Sequence, residues 1–140
     1  MHALPERAYT KKRGQYLSTD LLREIEAAIE EREAVRIGVA DVDLYVPRLN
    51  FVCGEAHPEG RACVISLYRL RQETYGMPAD KGLFEKRALT EAVHEWGHVV
   101  GLGHCADHHC VMCFSNSLAD TDRKGAALCD RCRARSGVCH

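Results

Sequence analysis

The sequence predicts an α/β (α+β) protein in which a mixed sheet packs against an N-terminal helix and a second, histidine-rich helix. An amphipathic helical repeat near the N-terminus is followed by four short β-branched or alternating segments, and a histidine-rich helical pattern begins beyond residue 80. The 140 residues suffice for one domain with its own core. We expect a single domain over 1–140, with an upper subdomain at 1–104 and a small Cys-rich C-terminal subdomain at 105–140.

The first helix is predicted from an N-cap signal and a periodic apolar stripe. Ser18, Thr19 and Asp20 are typical of an N-cap region, and apolar residues then recur at helical spacing to about Glu33. Residues 1–17 are polar and turn-rich, and we assign them no function. The apolar stripe therefore predicts a helix that packs on a sheet.

Four strand candidates follow this helix. Residues 35–40 form a β-branched run that predicts a mostly buried strand, and 41–46 alternate polar and apolar side chains before a proline. Residues 50–55 and 61–69 flank a His-Pro-Glu-Gly turn, so they predict a hairpin. A loop and then a long helix over 83–100 complete the upper subdomain.

The second helix carries the pattern HExxHxxGxxH. On a helix, the i,i+4 spacing places His94 and His98 on one face, where two imidazoles can share a zinc ion. Gly101 can adopt positive φ and turn the chain back, so that His104 supplies a third nitrogen. Three protein ligands leave the fourth tetrahedral position to water, which predicts a catalytic zinc. Glu95 lies beside the ligand face, where it can hold a water molecule without being a ligand itself.

Composition narrows the class of protein. Hydrophobic residues make up 46% and charged residues 28%, and the formal net charge is −1. This balance argues against a polyanion-binding protein, so no nucleic-acid partner is expected. No apolar run approaches the length of a membrane span and the N-terminal stretch lacks a signal-peptide core, so we predict a cytoplasmic protein without a membrane partner.

The eight cysteines indicate metal binding more than a disulfide framework. Five of them crowd into 28 residues beside the histidine motif: Cys105, Cys110, Cys113, Cys129 and Cys132. Spacing alone favours a zinc knuckle made by two CxxC pairs, at 110–113 and 129–132. Cys53, Cys63 and Cys139 lie outside the cluster, and whether the first two are paired is left open.

The histidine and cysteine motifs resemble a known family. HExxHxxGxxH followed by a methionine is the metzincin signature, and HC-x4-C-x-M with a downstream CxxC is similar to the archaemetzincins in particular. The resemblance runs from about Tyr9 to Cys132 and includes RGQYLSTDLL, DVDLYVPRLNFVCGEA and VISLYRLRQE. It implies a zincin-like mixed twisted sheet with an N-terminal helix and an active-site helix. It also implies a small C-terminal segment braced by a second, structural zinc.

The resemblance also implies roles for particular residues. Met112 would be the Met-turn residue, forming an apolar floor under the three imidazoles. The structural zinc ligands would be Cys105, Cys110, Cys129 and Cys132, which leaves Cys113 as a spare thiol. Because the loop before Cys129 is one residue shorter than the family spacing, Cys113 remains an alternative to Cys105.

The zincin fold also raises two expectations about its sheet. The fold begins with a strand before the first helix, and residues 1–17 show no strand pattern. This strand is therefore missing or irregular, and the sheet should have an uncovered side. An edge strand above the cleft pairs with extended substrate in such folds, and our candidate is 50–55.

Residues outside the motif have weaker assignments. Tyr45, Tyr68 and Tyr75 are candidate stabilisers of an oxyanion, with nothing in their spacing to choose among them. His108 and His109 are expected to be exposed. A run of basic residues in the tail is expected to form a solvated surface: Arg123, Lys124, Arg131, Arg133 and Arg135.

These patterns predict a peptidase that binds two zinc ions and acts on a peptide or protein substrate. A zinc-activated water would attack the peptide carbonyl, with Glu95 as general base and later as the proton donor to the leaving amine. Two alternatives are a metzincin-fold metal-binding protein without robust proteolysis and a zinc-ribbon binding module. The complete three-histidine motif with its glutamate argues against the binding module, which has no need of a general base.

Overall fold

The protein has a mixed α+β architecture, as the sequence predicts. The computed structural model describes residues 3–28 and 34–137, so Cys139 lies outside the described residues. Its α-helices are α1 (Ser18–Ala27), α2 (Lys81–Val99), α3 (Leu118–Lys124) and α4 (Asp130–Ser136). Its strands are β1 (Tyr9–Thr10), β2 (Gln15–Leu17), β3 (Arg36–Ala40), β4 (Leu44–Tyr45), β5 (Gly54–His57) and β6 (Ala62–Ser66). No helix in these ranges is long and apolar enough to cross a membrane.

The sheet that supports the active site has the order β3-β6-β5. Strand β6 runs parallel to β3 and antiparallel to β5, so the predicted hairpin is confirmed with shorter strands. All five residues of β6 are buried. Because successive side chains point to opposite faces of a sheet, β6 is covered on both faces, and α1 and α2 both pack against it.

Strand β3 is less buried than the sequence suggests. Ile37 and Val39 are 39% and 59% exposed, whereas Gly38 lies against Ile25 of α1. Within the described residues β3 pairs only with β6, so it is an edge strand with one open face. The expectation of a mostly buried strand was therefore wrong, and the expectation of an uncovered side of the sheet is confirmed.

A second small sheet precedes and supports α1. Strands β1 and β2 form an antiparallel pair, and β2 also pairs in parallel with β4. Residues 1–17 thus contain a strand before the first helix, contrary to the sequence pattern, but it pairs with β4 instead of β3. The predicted start of α1 is confirmed at Ser18, but side-chain capping is not. Leu17 occupies the N-cap position without a side-chain hydrogen bond, and the Ser18 hydroxyl donates to Glu55 at 2.6 Å. The predicted end of this helix near residue 33 lies outside the described residues.

Helix α2 is the long central helix, and its limits follow the sequence signals. The Asp80 carboxylate caps its first turn by accepting a hydrogen bond from the Leu83 amide at 3.1 Å. The helix ends at Val99, and Gly101 takes a φ of 99° that reverses the chain. The loop before it contains a 3₁₀ turn, Gln72–Tyr75.

Most of the buried apolar residues in the described part of the chain belong to two clusters. The first lies between the sheets and α1, and comprises Ala8, Leu21, Leu22, Ala40, Leu44, Ala62 and Val64. The second follows α2, and comprises Leu102, Cys105, Cys110, Val111, Met112 and Cys132. The division into subdomains at residue 104 stays a prediction.

A buried ion pair ties α3 to α2. The Arg87 guanidinium donates to both carboxylate oxygens of Asp122 at 2.9 Å and to the Leu70 carbonyl at 3.0 Å. The Arg87 side chain is 7% exposed and the Asp122 side chain 33%. This fork fixes α3 against the helix that carries the histidines.

We expect Arg87→Met to lower the free energy of unfolding in zinc-saturated buffer. The loss should be about 2–3 kcal/mol, below the value for a fully buried pair, because Asp122 is partly solvated. Urea unfolding followed by circular dichroism measures it. Arg123→Met is the matched control, since the Arg123–Asp120 pair is exposed and should contribute less than ~1 kcal/mol. Equal losses in the two variants would contradict the anchoring role of Arg87.

Candidate active site

The structure brings the three motif histidines together. His94 and His98 lie one turn apart on α2, and His104 follows the reversal at Gly101. One ring nitrogen from each lies within 4.8 Å of the others. His94 is buried, His98 half-buried and His104 exposed, so the cluster opens to solvent on the His104 side.

Backbone carbonyls determine which imidazole nitrogens are available to a metal. His94 Nδ1 donates to the Val111 carbonyl at 2.7 Å, and His98 Nδ1 donates to the Leu102 carbonyl at 2.8 Å. A carbonyl oxygen can only accept, so each Nδ1 carries the proton and each Nε2 keeps its lone pair. The two Nε2 atoms face each other at 3.2 Å. Two lone pairs at this distance repel, and a cation bound between them would remove the repulsion, so the donor set fits zinc.

Burial keeps His94 and His104 in the neutral form that binds metal. Burial, with a smaller contribution from the charge of nearby Lys124, lowers the pKa of His94 to about 4. Partial burial, with His98 as a neighbour, also lowers the pKa of His104. Neutral imidazole is the ligand form, so neither histidine has to lose a proton at neutral pH.

Glu95 lines the same cavity as the histidines. The cavity has a volume of about 700 Å³, and Glu95, one of its lining residues, is 7% exposed. Burial, together with the carboxylates of Glu91 and Glu55, raises the pKa of Glu95 to about 8, while Lys124 lowers it. A divalent cation nearby would lower it further. Gly54 of β5 lies so close that a Cβ there would be 2.8 Å from Glu95 Cγ.

Met112 lies against the active-site helix. It is fully buried, and a Cβ on Gly97 of α2 would be 2.3 Å from its Sδ. The absence of a side chain at Gly97 thus lets the sulfur approach the backbone between His94 and His98. This placement is consistent with the predicted apolar floor.

Four cysteines form a second cluster, and Cys113 is not one of them. The thiol sulfurs that lie within 4.8 Å of one another belong to Cys105, Cys110, Cys129 and Cys132. The Sγ of Cys113 points elsewhere and lies 3.8 Å from His108 Nδ1. The spacing-based choice of a knuckle at 110–113 and 129–132 is therefore not the arrangement in the structure, since Cys105 takes that position.

Hydrogen bonds to sulfur prepare this cluster for a cation. The amides of Asp107 and Cys132 donate to Cys105 Sγ and Cys129 Sγ at 3.5 Å, and the Cys129 amide donates to Cys110 Sγ at 3.4 Å. The Asp107 amide, followed by Arg131, lowers the pKa of Cys105 to about 7. Four clustered sulfurs, three of which accept an amide hydrogen bond, suit a closed tetrahedral zinc site.

The structure also decides the state of Cys53 and Cys63. They are free thiols that do not oppose each other, because Cys63 pairs with Ala56 in the hairpin register. Burial raises the pKa of both to about 12, so they stay protonated.

Of the three tyrosines considered as oxyanion stabilisers, one lies beside the cavity. Tyr75 lines it, whereas Tyr45 and Tyr68 do not. His108 and His109 are exposed, as predicted. Residues 51–54, which lie within the predicted edge segment at 50–55, line the cavity, and β5 begins at Gly54.

Several cavity residues were not identified from the sequence. Lys124 was expected to be solvated, but it is 6% exposed, donates to the Cys113 carbonyl at 2.7 Å and lies 3.3 Å from His94 Nδ1. Arg69, Phe51 and Phe114 also line the cavity. No local pattern marks these four residues, because only the tertiary fold brings them to the histidines.

Proteins of a known family match this chain over most of its length. The profile of peptidase family M54 matches residues 4–136. The archaemetzincin of Methanocaldococcus jannaschii is 46% identical over 129 residues, covering 92% of this chain and 70% of the relative. This chain thus spans about 70% of the length of that curated relative.

Two crystal structures extend the likeness to the fold. The archaemetzincin of Methanopyrus kandleri superposes with a TM-score of 0.84 at 43% identity, covering 95% of this chain and 70% of that one. A zinc-dependent peptidase from Methanocorpusculum labreanum superposes with a TM-score of 0.88 at 27% identity, covering 98% and 82%. The chain therefore belongs to peptidase family M54, the archaemetzincin family of zinc metallopeptidases.

Proposed function

We propose that the chain hydrolyses peptide bonds at the histidine-lined cavity, with zinc held by His94, His98 and His104 and with Glu95 as general base. The facing Nε2 atoms of His94 and His98 are the observation that carries the proposal. Both are fixed as acceptors at 3.2 Å, an arrangement that suits a shared cation. Glu95 lies in the same cavity, next to His94 in sequence.

Each residue type suits its proposed role. Zinc bound to neutral imidazoles is a Lewis acid that polarises a carbonyl group and lowers the pKa of a water molecule. Glu95 accepts a proton from the attacking water at a carboxylate oxygen and later delivers it to the amine nitrogen of the leaving group. Burial raises the proton affinity of that carboxylate, which suits a group that both takes up and releases a proton near neutral pH. Tyr75 lines the cavity, and its hydroxyl donates to the Arg69 carbonyl at 2.7 Å.

We propose a second, structural zinc at the four clustered cysteines. A closed four-thiolate site has no open position for substrate, so its contribution is to stability. It would brace α4 and the segment around Val111, whose carbonyl accepts the hydrogen bond from His94. The absence of a nucleic-acid partner and the cytoplasmic location stay predictions.

Glu95→Ala should abolish turnover while leaving the zinc content unchanged, because Glu95 moves a proton without binding the metal. The expected fall in kcat is roughly 100- to 10,000-fold, measured on a fluorogenic peptide with zinc measured in parallel. Glu85→Ala is the matched control, since Glu85 lies exposed on the same helix. A Glu95→Ala protein with normal rates would show that the assigned base is wrong.

Zinc counting separates the two metal sites. We expect two zinc ions per chain, one at each of the two clusters, and one after His98→Ala removes a catalytic ligand. Cys105→Ser should lose the other zinc and lower the thermal midpoint, whereas Cys113→Ser should change neither. Atomic emission and thermal unfolding make these measurements. Loss of zinc in Cys113→Ser but not in Cys105→Ser would overturn the ligand assignment.

Gly54→Ala should impair catalysis through crowding. The added Cβ would lie 2.8 Å from Glu95 Cγ and 2.9 Å from the Val64 carbonyl, so the carboxylate has to move. We expect kcat to fall at least roughly tenfold with zinc retained, since small misplacements of a reacting group are costly. Gly82→Ala is the control, because its Cβ would meet nothing nearer than 3.8 Å. Unchanged kcat in Gly54→Ala would show that this contact is not needed.

A further inference from the structure

Two aromatic side chains project into the active-site cavity from separate parts of the chain. Phe51 precedes β5 and is 41% exposed, and Phe114 follows Met112 and is 56% exposed. Isolated exposed apolar residues are common and need no explanation. These two differ because both line the cavity that contains Glu95 and the histidines.

The Phe51 ring is held in place by an ion pair. The Arg69 guanidinium lies 3.9 Å from the ring centroid. Asp43 fixes that guanidinium through two hydrogen bonds at 2.8 and 2.9 Å, and Asp43 also accepts from Gln15 at 2.9 Å. One face of the ring is therefore covered, and its exposed part is presented to the cavity as a fixed platform.

The Phe114 ring is held by a proposed metal ligand and by the backbone. Its centroid lies 5.3 Å from that of His104, with the planes tilted by 58°. The preceding Cys113 carbonyl accepts a hydrogen bond from buried Lys124, which anchors the segment. Phe114 therefore lies directly beside the position where the reacting carbonyl would be polarised.

We propose that Phe51 and Phe114 determine specificity, and that the cavity takes peptides with a bulky apolar side chain on each side of the scissile bond. This inference rests on the proposed function, which places that bond at Glu95 and the histidines. A substrate side chain that leaves water to lie on either ring gains from burial of apolar surface. Because both rings are already fixed, little conformational entropy is lost when the substrate binds.

Neither ring is needed for the protein core. Both are more than one-third exposed and belong to neither of the two buried clusters, so replacing them should leave the fold intact. Leu89 of α2 offers a matched control, because it is 58% exposed and does not line the cavity. Arg69 offers a second test, since it holds Phe51 from behind.

The experiment compares fluorogenic peptides that carry Gly, Leu or Phe on either side of one scissile bond. With the zinc-loaded wild-type protein we expect kcat/KM to be roughly 10- to 100-fold higher for Phe than for Gly on each side. Phe51→Ser should lower this ratio on one side and Phe114→Ser on the other, by about tenfold and mainly through KM. Arg69→Lys should reproduce part of the Phe51→Ser effect on the same side, and Leu89→Ser should leave both ratios unchanged.

Binding to the Glu95→Ala protein separates this inference from the proposed function. Fluorescence anisotropy of labelled Phe-containing and Gly-containing peptides measures the preference without turnover. Preferential binding of the Phe peptide, weakened by Phe51→Ser or Phe114→Ser in that background, supports the inference even if wild-type protein cleaves nothing. Cleavage without preference, or a preference that survives both substitutions, overturns the inference and leaves the peptidase proposal intact.

Discussion

Two hydrogen bonds from imidazole to backbone carbonyl organise the active site. They run from His94 to Val111 and from His98 to Leu102, and they leave two Nε2 lone pairs facing each other at 3.2 Å. The His98 bond depends on the chain reversal at Gly101, which returns Leu102 to the end of α2. The His94 bond depends on a segment 17 residues away, so the orientation of one imidazole is set by the C-terminal part of the chain.

The cysteine cluster and the histidine cluster are therefore coupled mechanically. Val111 lies between Cys110 and Met112, and all three are fully buried. A cation bound by the four thiols would hold Cys110, and through it the carbonyl that orients His94. The Arg87–Asp122 pair also stabilises the C-terminal part of the chain, because it fixes α3 to α2. A C-terminal segment with so small a core depends on such ties, because apolar burial alone supplies little stability at this size.

Sequence reasoning succeeded where the signal was local. The limits of α2, the reversal at Gly101 and the hairpin of β5 and β6 follow from capping, periodicity and turn chemistry. It was wrong for β3, because an apolar run does not reveal whether the strand has a neighbour on each side. It missed β2, whose three residues are too few to show alternation and are stabilised by pairing with β4. It predicted that Lys124 is solvated, because a run of basic residues does not reveal that one of its side chains is buried.

The sequence by itself determined the arrangement of residues near the end of α2. These are the facing His94 and His98, Glu95 beside them, and Gly101, which follows the end of the helix. These follow from a fixed periodicity that needs no distant contact. Only the tertiary structure decided between Cys105, which the family resemblance implies, and Cys113, which the spacing favours. It also buried Lys124 beside His94 and brought Phe51 and Phe114 to one cavity. Each of these contacts joins segments that are distant in the chain or depends on the direction that a loop takes. Such contacts are decided by how helices and strands pack, which spacing along the chain does not specify.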